Sequence, residues 1–386
     1  MKKRIAKVLC AAVLGGSIAV TAFPGVAMAA EKEGGFKVAY ITRNQSDPFA
    51  AELVNRFTSQ AEEYADTFTL DTFDSQADSE KENSIIEDCI TKKYDCIIVQ
   101  PNDGNLQQPY CQKVLDAGIF CITTNAAIRE LEGGSWVDGD PYAQGEAIAK
   151  LAAEAVPEGG TVGILNCMPG NFHTTSRYNA IKDEFIDKRD DVKIIGDYME
   201  EEATEAAAMA TMEDWATSYG RIDCMLTTAD LLGNGAYEAV KDDDTYDGML
   251  VYSVDCLAKT VLEIKDGVYT EAVYQNPPAL AAANLKAAYD LLTGAETVVN
   301  TSVDSLLCTS DNVDQFIQMY IDQGQITEDE GRYCFLDLKN RRDQEVGSSG
   351  RGCGLYLPSG GYQDPESRWF RKLREHLLRR RTICYR

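Results

Sequence analysis

Histidine is scarce in this chain: the 386 residues include two histidines, and His173 is the one that precedes residue 330. The sequence also lacks a GxSxG motif, a phosphate-binding GxxxxGK(S/T) loop and a GxGxxG after a strand pattern. No motif therefore brings a nucleophile, a base and an orienting group together. These absences argue against serine hydrolases, P-loop NTPases and dinucleotide-dependent enzymes, so we expect a protein that is not an enzyme and has no cofactor.

Basic residues are also scarce over most of the chain. Residues 31–330 contain 20 Lys and Arg against 56 Asp and Glu, and six of the basic residues are arginines. So acidic a body would be repelled by the phosphates of nucleic acid and by anionic membrane surfaces. We therefore expect no nucleic-acid partner.

Long apolar runs are missing after residue 30. Before it, a cationic start is followed by an apolar run over 8–23 and by a small-x-small cleavage site, Ala-Met-Ala, at 27–29. This pattern predicts a signal peptide over 1–30 and an exported mature chain. A membrane anchor is the alternative, but the run is short for a span and is interrupted at 15–17.

The twelve cysteines include no CxxC pair, and no Cys/His cluster has the spacing of a zinc site. Several of those in the body, such as Cys96, Cys121 and Cys224, lie inside apolar strand patterns, where cysteine packs as a small hydrophobic residue. We expect free buried thiols and no metal site, because a chain of this length holds a core without cross-links.

Strand and helix patterns alternate from residue 36, and residues 95–125 show the alternation well. An apolar strand over 96–100 is followed by Pro-Asn and by a helical pattern that ends at Gly118, and a second apolar strand ends at Asn125. Two apolar strands joined by a helix form a βαβ unit with parallel strands. Ligands bind beyond the carboxyl ends of such strands, so Asn125 is predicted at the functional edge of a sheet.

The alternation begins again after residue 140 and continues to about residue 293. Two sets of α/β units in series predict two compact domains, each a doubly wound parallel sheet with helices on both faces.

Residues 329–386 differ in composition from the rest of the chain. Eleven arginines lie in residues 331–386, and residues 366–381 have the pattern of a basic helix. One interpretation is an arm that binds acidic surfaces. The other is out-of-frame or fused sequence, which the abrupt change favours, and the DNA sequence around codon 330 decides between them.

Several motifs occur in a characteristic order. They are DPFA at 47–50, DCIIVQP at 95–101, AGIFCITTN at 117–125 and VDGD at 137–140, with Gly145 on the following helical pattern. They resemble the Asn-Pro-Phe-Phe turn, the G-I-I-I-x-P and A-G-I-P-V-V-T-x-D strands and the V-G-x-D-N hinge entry of one family. That family is the ribose-binding-like group of periplasmic sugar-binding proteins of ABC transporters.

The resemblance covers residues 36–328 and implies a type I periplasmic-binding fold, with two lobes joined by a hinge of three crossovers. The implied lobes are 31–139 with about 276–302, and 140–275 with about 303–328. A sugar or sugar-like polyol would be enclosed between them and delivered to an ABC permease. The resemblance also implies a monomer in the periplasm or on the outer side of the cytoplasmic membrane.

The resemblance places seven ligand-binding residues at strand ends and crossovers. They are Asp47, Phe49, Asn125, Arg177, Asp230, Asp255 and Gln275. Carboxylates and amides would each serve adjacent hydroxyls, arginine offers a rigid fork of donors, and Phe49 would face the C–H side of a ring. From the residues alone, Asp47 is equally well explained as a helix N-cap, whereas Phe49 is better explained as a core aromatic and Arg177 as part of a surface ion pair.

Three departures from the family pattern bear on the ligand. Asn125-Ala126 stands where the family commonly has Asp-Arg, Ala50 replaces the second phenylalanine, and Ala229 replaces the asparagine before Asp230. The loss of an arginine and of an aromatic wall argues against ribose. It favours a roomier pocket for a larger sugar or a different polyol.

Two other functions stay open. His173 near Arg177 would be available to an enzyme on the same scaffold, although no catalytic set accompanies it. The other is a signalling protein that presents its ligand to a membrane receptor. Permease and ATPase genes beside this one would favour transport, and a sensor kinase gene would favour signalling.

Overall fold

The computed structural model describes residues 34–331. The predicted signal peptide lies outside the described residues, and so does the predicted basic tail apart from residues 329–331. No helix in residues 34–331 is long and apolar enough to cross a bilayer.

The strands of the described residues form two six-stranded sheets. The first contains β1 (Phe36–Thr42), β2 (Phe68–Asp74), β3 (Cys96–Val99), β4 (Phe120–Thr123), β5 (Ser135–Gly139) and β11 (Asn300–Val303), in the order β11-β5-β4-β3-β1-β2. The second contains β6 (Thr161–Cys167), β7 (Lys193–Glu200), β8 (Cys224–Thr227), β9 (Leu250–Asp255), β10 (Glu271–Tyr274) and β12 (Leu306–Thr309), in the order β12-β10-β9-β8-β6-β7.

Helices connect the strands and cover both sheets. They are α1 (Pro48–Ala61), α2 (Ser79–Thr91), α3 (Gly104–Asp116), α4 (Pro141–Ala155), α5 (Phe172–Ile181), α6 (Glu205–Tyr219), α7 (Asp230–Val240), α8 (Ala258–Asp266), α9 (Pro277–Leu292) and α10 (Val313–Asp322).

Each sheet has a hydrophobic core on both faces, because successive residues of a strand point to opposite sides. Val38 and Tyr40 of β1 pack with α1 and α9, whereas Ala39 and Ile41 pack with α2 and α3. The second sheet is likewise packed against α4 and α5 on one face and against α6, α7, α8 and α10 on the other. The predicted doubly wound α/β architecture is confirmed.

The ladders are parallel, with one exception among the described strands. β12 pairs antiparallel with β10, so one edge strand of the second sheet runs against the other five. Residues 304–305 alone connect β11 of the first sheet to β12 of the second. A chain that enters a sheet at the carboxyl ends of its strands has to run in the opposite direction, and a parallel entry would need a longer crossover.

Three connections pass between the two sheets: β5 to α4, β10 to α9, and β11 to β12. All three lie at the carboxyl ends of β5, β10 and β11, so the two sheets face each other at the edge where parallel sheets bind ligands. The predicted hinge of three crossovers is confirmed.

All eight cysteines of the described residues are free and buried. Burial raises the pKa of thiols such as those of Cys96 and Cys224. These side chains therefore act as small hydrophobic residues of the cores. Within the same residues, no cluster of three or more His, Cys, Asp or Glu side chains could hold a metal ion.

Candidate functional site

A cavity lies between the two sheets, at the carboxyl ends of their strands. Five of the seven predicted site residues line it, namely Asp47, Asn125, Arg177, Asp255 and Gln275. The enclosed volume is about 30 Å³, room for at most a few water molecules, since one needs about 10–15 Å³. The side chains of the two lobes therefore fill most of the space between them.

Hydrogen bonds connect the predicted residues across the two sheets. Asn125, which follows β4, donates through Nδ2 to Oε1 of Gln275 over 3.2 Å. Gln275 in turn donates through Nε2 to Oδ1 of Asp255, the last residue of β9. Asp255 Oδ1 also lies 3.8 Å from Nη1 of Arg177. This Asn125–Gln275–Asp255 network joins the first sheet, a crossover and the second sheet.

Asp47 has two structural roles at once. Its Oδ1 accepts hydrogen bonds from the backbone N–H of Phe49 at 2.9 Å and of Ala50 at 3.3 Å, which caps α1. Its Oδ2 forms an ion pair with Arg43. Because Asp47 also lines the cavity, capping and a place in the site coexist.

The structure does not bring Phe49 or Asp230 to the cavity wall. Phe49 is 2% exposed and packs in the core between the first sheet and α1 and α9. Asp230 begins α7 and is fully buried; it accepts hydrogen bonds from Ser253 Oγ and, over 2.7 Å, from the N–H of Leu257, which lines the cavity. Asp230 therefore supports the wall from behind, and direct ligand contacts by these two residues stay predictions.

Sequence reasoning missed Arg43, which lines the cavity. Arg43 pairs with Asp47 and donates through Nη1 to Oδ1 of Asn125 over 3.3 Å. It thus brings a guanidinium to Asn125, the residue before Ala126, where the family pattern has an arginine. Arg43 directly follows the last residue of β1, so the strand-end rule applied to β4 would also have identified it.

Arg43 and Arg177 have different electrostatic surroundings. Burial lowers the pKa of Arg43, but the Asp47 carboxylate outweighs this effect and the net shift is upward. Burial also lowers the pKa of Arg177, and here Asp255 offsets it only in part. Both side chains remain charged, because arginine does not lose its proton in proteins.

Arg177 is 3% exposed and is held in place from two sides. Its Nε donates to Oε1 of Gln144 and its Nη1 to the carbonyl oxygen of Thr228, both over 2.9 Å. Its Nη2 is buried and has no hydrogen-bond partner among the described residues. A buried donor without a partner is costly, so this residue of the cavity wall has a donor group available to a ligand.

His173 also lines the cavity, and it contacts Asp138 across the two sheets. Its Nε2 lies 2.9 Å from Oδ2 and 3.1 Å from Oδ1 of Asp138, the fourth residue of β5. Burial lowers the pKa of His173, and Asp138 opposes this shift without reversing it. For the Asp138 carboxyl, burial raises the pKa, but His173 and the backbone N–H groups of Ala126 and Ala127 outweigh burial and the net shift is downward.

Two buried carboxyl groups near the cavity have pKa values above their ordinary value. Burial raises the pKa of Asp255 to about 6, although Arg177 lowers it in part. Burial and the neighbouring Asp255 raise the pKa of Asp230 to about 8. Asp230 therefore holds its proton to a higher pH than Asp255 does.

Backbone strain is concentrated at the strand ends that form the site. Asn125 and Ala126, after β4, have φ angles of 44° and 99°, and Asp255 and Cys256, at the end of β9, have φ angles of 123° and 56°. Positive φ is unfavourable for residues other than glycine, and such residues tend to cluster at functional sites. Here the two strained turns aim Asn125 and Asp255 into the cavity.

The apolar part of the lining is aliphatic. It consists of Met168, Ala203, Ala229, Leu231 and Leu257. Among the described residues, no Phe, Tyr or Trp lines the cavity. A ligand of this site would thus be recognised mainly by its polar groups and not by stacking on an aromatic ring.

The model of one protein family, described as a periplasmic binding protein domain, matches residues 38–296. A curated relative is the ribose import binding protein RbsB of Bacillus subtilis (strain 168). It is 23% identical over 221 residues, which is 57% of this chain and 70% of that protein.

Solved structures share the fold. An ABC transporter solute binding protein from Bacillus halodurans C-125 with bound myo-inositol has a TM-score of 0.70 at 22% identity, covering 75% of this chain and 100% of that one. The Caulobacter myo-inositol binding protein has a TM-score of 0.68 at 21% identity, and the match covers 74% of this chain and 97% of that one. An ABC transporter solute binding protein from Actinobacillus succinogenes 130z with bound D-allose has a TM-score of 0.66 at 22% identity, and the match covers 72% of this chain and 99% of that one.

Proposed function

Because the chain belongs to the periplasmic binding protein family, we propose that it is an extracytoplasmic solute-binding protein that encloses a sugar or sugar-like polyol between its lobes. The bound ligand is then delivered to the permease of an ABC transporter. The family is one of binding proteins, in agreement with the expectation that the chain is not an enzyme.

The cavity between the sheets carries this proposal. Its polar lining includes carboxylates, amides and guanidinium groups, contributed by strand ends of both sheets and by α5. Sugar hydroxyls both donate and accept, and each one that is buried without a partner costs about 1–3 kcal/mol. The acceptor atoms of Asp47, Asp255 and Gln275 and the donor groups of Arg43 and Arg177 supply the partners that a closely hydroxylated ring requires.

Ligand entry requires the lobes to separate, since the closed cavity of about 30 Å³ is far too small for a sugar. The three crossovers are the natural hinge. Once inside, the ligand takes over the cross-lobe contacts now made between Asn125, Gln275 and Asp255. Binding then favours the closed population because the ligand contacts both lobes there and one lobe in the open state.

The ligand is a compact ring or polyol rich in hydroxyl groups. Proteins with this fold include ones with bound myo-inositol and D-allose, and the curated relative is a ribose import protein. The lack of an aromatic wall in the cavity supports a ligand with hydroxyls in several directions over one with a broad apolar face.

The other properties inferred from the sequence belong to the same proposal. The protein acts as a monomer, in the periplasm or on the outer side of the cytoplasmic membrane. Its lobes, residues 31–139 with about 276–302 and residues 140–275 with about 303–328, move as units about the crossovers.

Titration calorimetry of the purified chain tests the proposal. The panel contains D-ribose, D-allose and myo-inositol, together with other pentoses, hexoses and polyols. We expect saturable heat and thermal stabilisation with at least one compound. If no compound produced either, or if a bound compound were chemically converted, the binding function would be wrong.

A further inference from the structure

We propose that Asp138 and His173 form a latch between the two lobes, in which both are positioning residues, and that protonation of His173 releases it. The latch closes the cleft described above, so its physiological role rests on the proposed binding function. Neither residue is among the ligand-binding positions that the sequence analysis assigns.

The contact joins elements that belong to different sheets. Asp138 lies in β5 of the first sheet and is fully buried; His173 is the second residue of α5, which packs on the second sheet, and is 3% exposed. Both carboxylate oxygens lie within 3.1 Å of Nε2. Separation of the sheets would break this contact, so it exists in the closed arrangement.

Asp138 couples the latch to the ligand site. Its Oδ2 also accepts hydrogen bonds from the backbone N–H groups of Ala126 at 3.2 Å and of Ala127 at 2.9 Å. These residues directly follow Asn125, whose side chain lines the cavity. Since the same carboxylate holds the turn and the histidine, the closed latch ties α5 to the backbone that aims Asn125. Opening leaves the carboxylate with its backbone partners, so one contact is broken.

His173 is held by its own helix. Asn171 caps α5 and accepts hydrogen bonds from the N–H groups of His173 at 2.9 Å and of Thr174 at 3.2 Å. The ring therefore lies at the amino end of α5, where the helix dipole disfavours a positive charge. The neutral ring donates its Nε2 proton to Asp138 and satisfies the buried carboxylate without becoming charged.

The groups that face His173 determine its response to pH. Burial lowers its pKa most strongly, Asp138 from β5 raises it, and Arg177 on α5 and Arg43 after β1 lower it. The net pKa lies below the ordinary value of about 6.5. Opening the cleft hydrates the ring and restores a value near 6.5, so the open state binds the proton more tightly. The closed state is favoured above about pH 6.5, and its population decreases as the pH falls below that value.

Small-angle X-ray scattering of the full chain without added sugar tests the latch. We compare the radius of gyration of the wild type at pH 7.5 with those of His173→Ala, Asp138→Asn and the double variant. We expect each single variant to be more expanded than the wild type and the double variant to be no more expanded than either, because all three remove one contact. The latch would be overturned if the wild type had as large a radius of gyration as the double variant. It would also be overturned if the expansion of the double variant were the sum of the two single expansions.

The pH response is tested with His173→Gln, which keeps a side-chain amide donor and does not titrate. We expect the wild type to expand between pH 7.5 and 5.5 and His173→Gln to expand less. Asp255 titrates in the same window but is present in both proteins, so it cancels in the comparison. His376→Gln, which removes the other histidine of the chain, is the matched control and should behave as the wild type. Equal responses of the wild type and His173→Gln would refute the protonation step.

A second readout separates this inference from the proposed function. With D-ribose, D-allose and myo-inositol as probes, we expect His173→Ala and Asp138→Asn to weaken the binding of any active probe at least tenfold, and the double variant to lose no more than the larger single loss. The latch would be contradicted if the fold-loss of affinity in the double variant were the product of the two single fold-losses. Failure of the whole panel to bind would remove the proposed function, while the scattering comparison would still decide the latch.

Discussion

The side chain of Asn125 donates a hydrogen bond to Oε1 of Gln275 over 3.2 Å, although the two residues are 150 positions apart in the chain. Asn125 follows a strand of the first sheet, and Gln275 lies in the second of the three crossovers. The bond therefore joins a strand end that lines the cavity to one of the three crossovers. A ligand that replaced this bond would act directly on the proposed hinge.

Arg177→Ala should weaken sugar binding at least tenfold, which corresponds to about 1.4 kcal/mol. The variant removes a buried guanidinium whose Nη2 has no partner among the described residues and leaves Asp255 without its nearby cation. Calorimetry with the best-binding compound of the panel measures the loss. The control is Arg221→Ala, at the amino end of β8 and paired with Asp223, which should bind normally. Unchanged affinity of Arg177→Ala would remove this residue from the site.

Asp255→Ala should also weaken binding at least tenfold, or about 1.4 kcal/mol. The substitution removes the acceptor of the hydrogen bond from Gln275 and leaves Arg177 buried without a counter-charge. The same calorimetric titration measures it. Asp197→Ala is a suitable control, because Asp197 lies on the outer strand β7 and accepts a hydrogen bond from Tyr178 of α5. Equal affinities of the two variants would show that the Asp255 carboxylate does not contact the ligand.

Arg43→Lys should bind the ligand more weakly than the wild type, even though it keeps the positive charge. One guanidinium contacts both Asp47 and Asn125, and a lysine ammonium lacks the planar fork that serves two partners at once. We expect Arg43→Ala to lose at least tenfold in affinity and Arg43→Lys to lie between it and the wild type. If Arg43→Lys bound as tightly as the wild type, charge alone would explain the role of this residue.

Gly145→Ala should reduce both stability and affinity. A Cβ atom at Gly145 on α4 would lie 2.3 Å from the carbonyl oxygen and 2.6 Å from Cα of Arg177 on α5. Because backbone atoms cannot rotate away, the helices have to separate, at a cost of about 1–3 kcal/mol, and Arg177 is displaced. Urea unfolding and calorimetry measure the two effects. Gly104→Ala is the control, since its Cβ would meet Ile128 at an ordinary 3.6 Å; similar results for both variants would contradict the close approach.

Asp230→Asn should make stability less dependent on pH. Burial raises the pKa of Asp230 to about 8, so the folded chain binds this proton more tightly than the unfolded chain, whose value is about 3.9. The contribution of Asp230 to the free energy of unfolding is therefore fully present below about pH 4 and decreases as the pH rises towards 8. Urea unfolding at pH 5 and pH 8 should show a smaller decrease in Asp230→Asn than in the wild type, by at least about 1 kcal/mol.

Asp223→Asn is the control, because the pKa of Asp223 is shifted in the opposite direction to that of Asp230. Burial raises the pKa of Asp223, but hydrogen bonds from Thr161 and the pairing with Arg221 outweigh burial and lower it overall. Its ionised form therefore stabilises the folded chain above its ordinary pKa, and the asparagine variant should lose stability at both pH 5 and pH 8. A pH dependence of Asp230→Asn identical to that of the wild type would show that Asp230 is ionised in the folded protein.

Much of the fold was predictable because its signals are local. The apolar residues of 96–100 predicted a strand where β3 (Cys96–Val99) lies, and Gly118, predicted to end the following helix, comes two residues after the last residue of α3. The antiparallel β12 was not predictable in this way. Its direction depends on the two-residue connection from the other lobe, which no periodicity within residues 306–309 records.

The candidate site was predictable where a residue ends a strand, and less so elsewhere. Asn125, Asp255 and Gln275 lie at or just after strand ends, and all three line the cavity. Phe49 shows the limit of the motif, because its position in the first turn of α1 places its side chain in the core. Arg43 was missed although it follows β1 directly, and the contact of His173 with Asp138 joins parts of the chain that have no sequence pattern in common.

The sequence by itself determined the alternation of strands and helices, the edge of the sheets at which the cavity lies and five of the residues that line it. These features follow from the spacing of apolar residues and from the chemistry of strand ends, which are properties of short segments. Only the tertiary structure decided which side chains meet across the cleft: Arg43 with Asn125, Asn125 with Gln275, and His173 with Asp138. Hydrogen bonds require their atoms to lie within about 3.5 Å, and positions of that precision between two lobes arise from the packing of the whole chain.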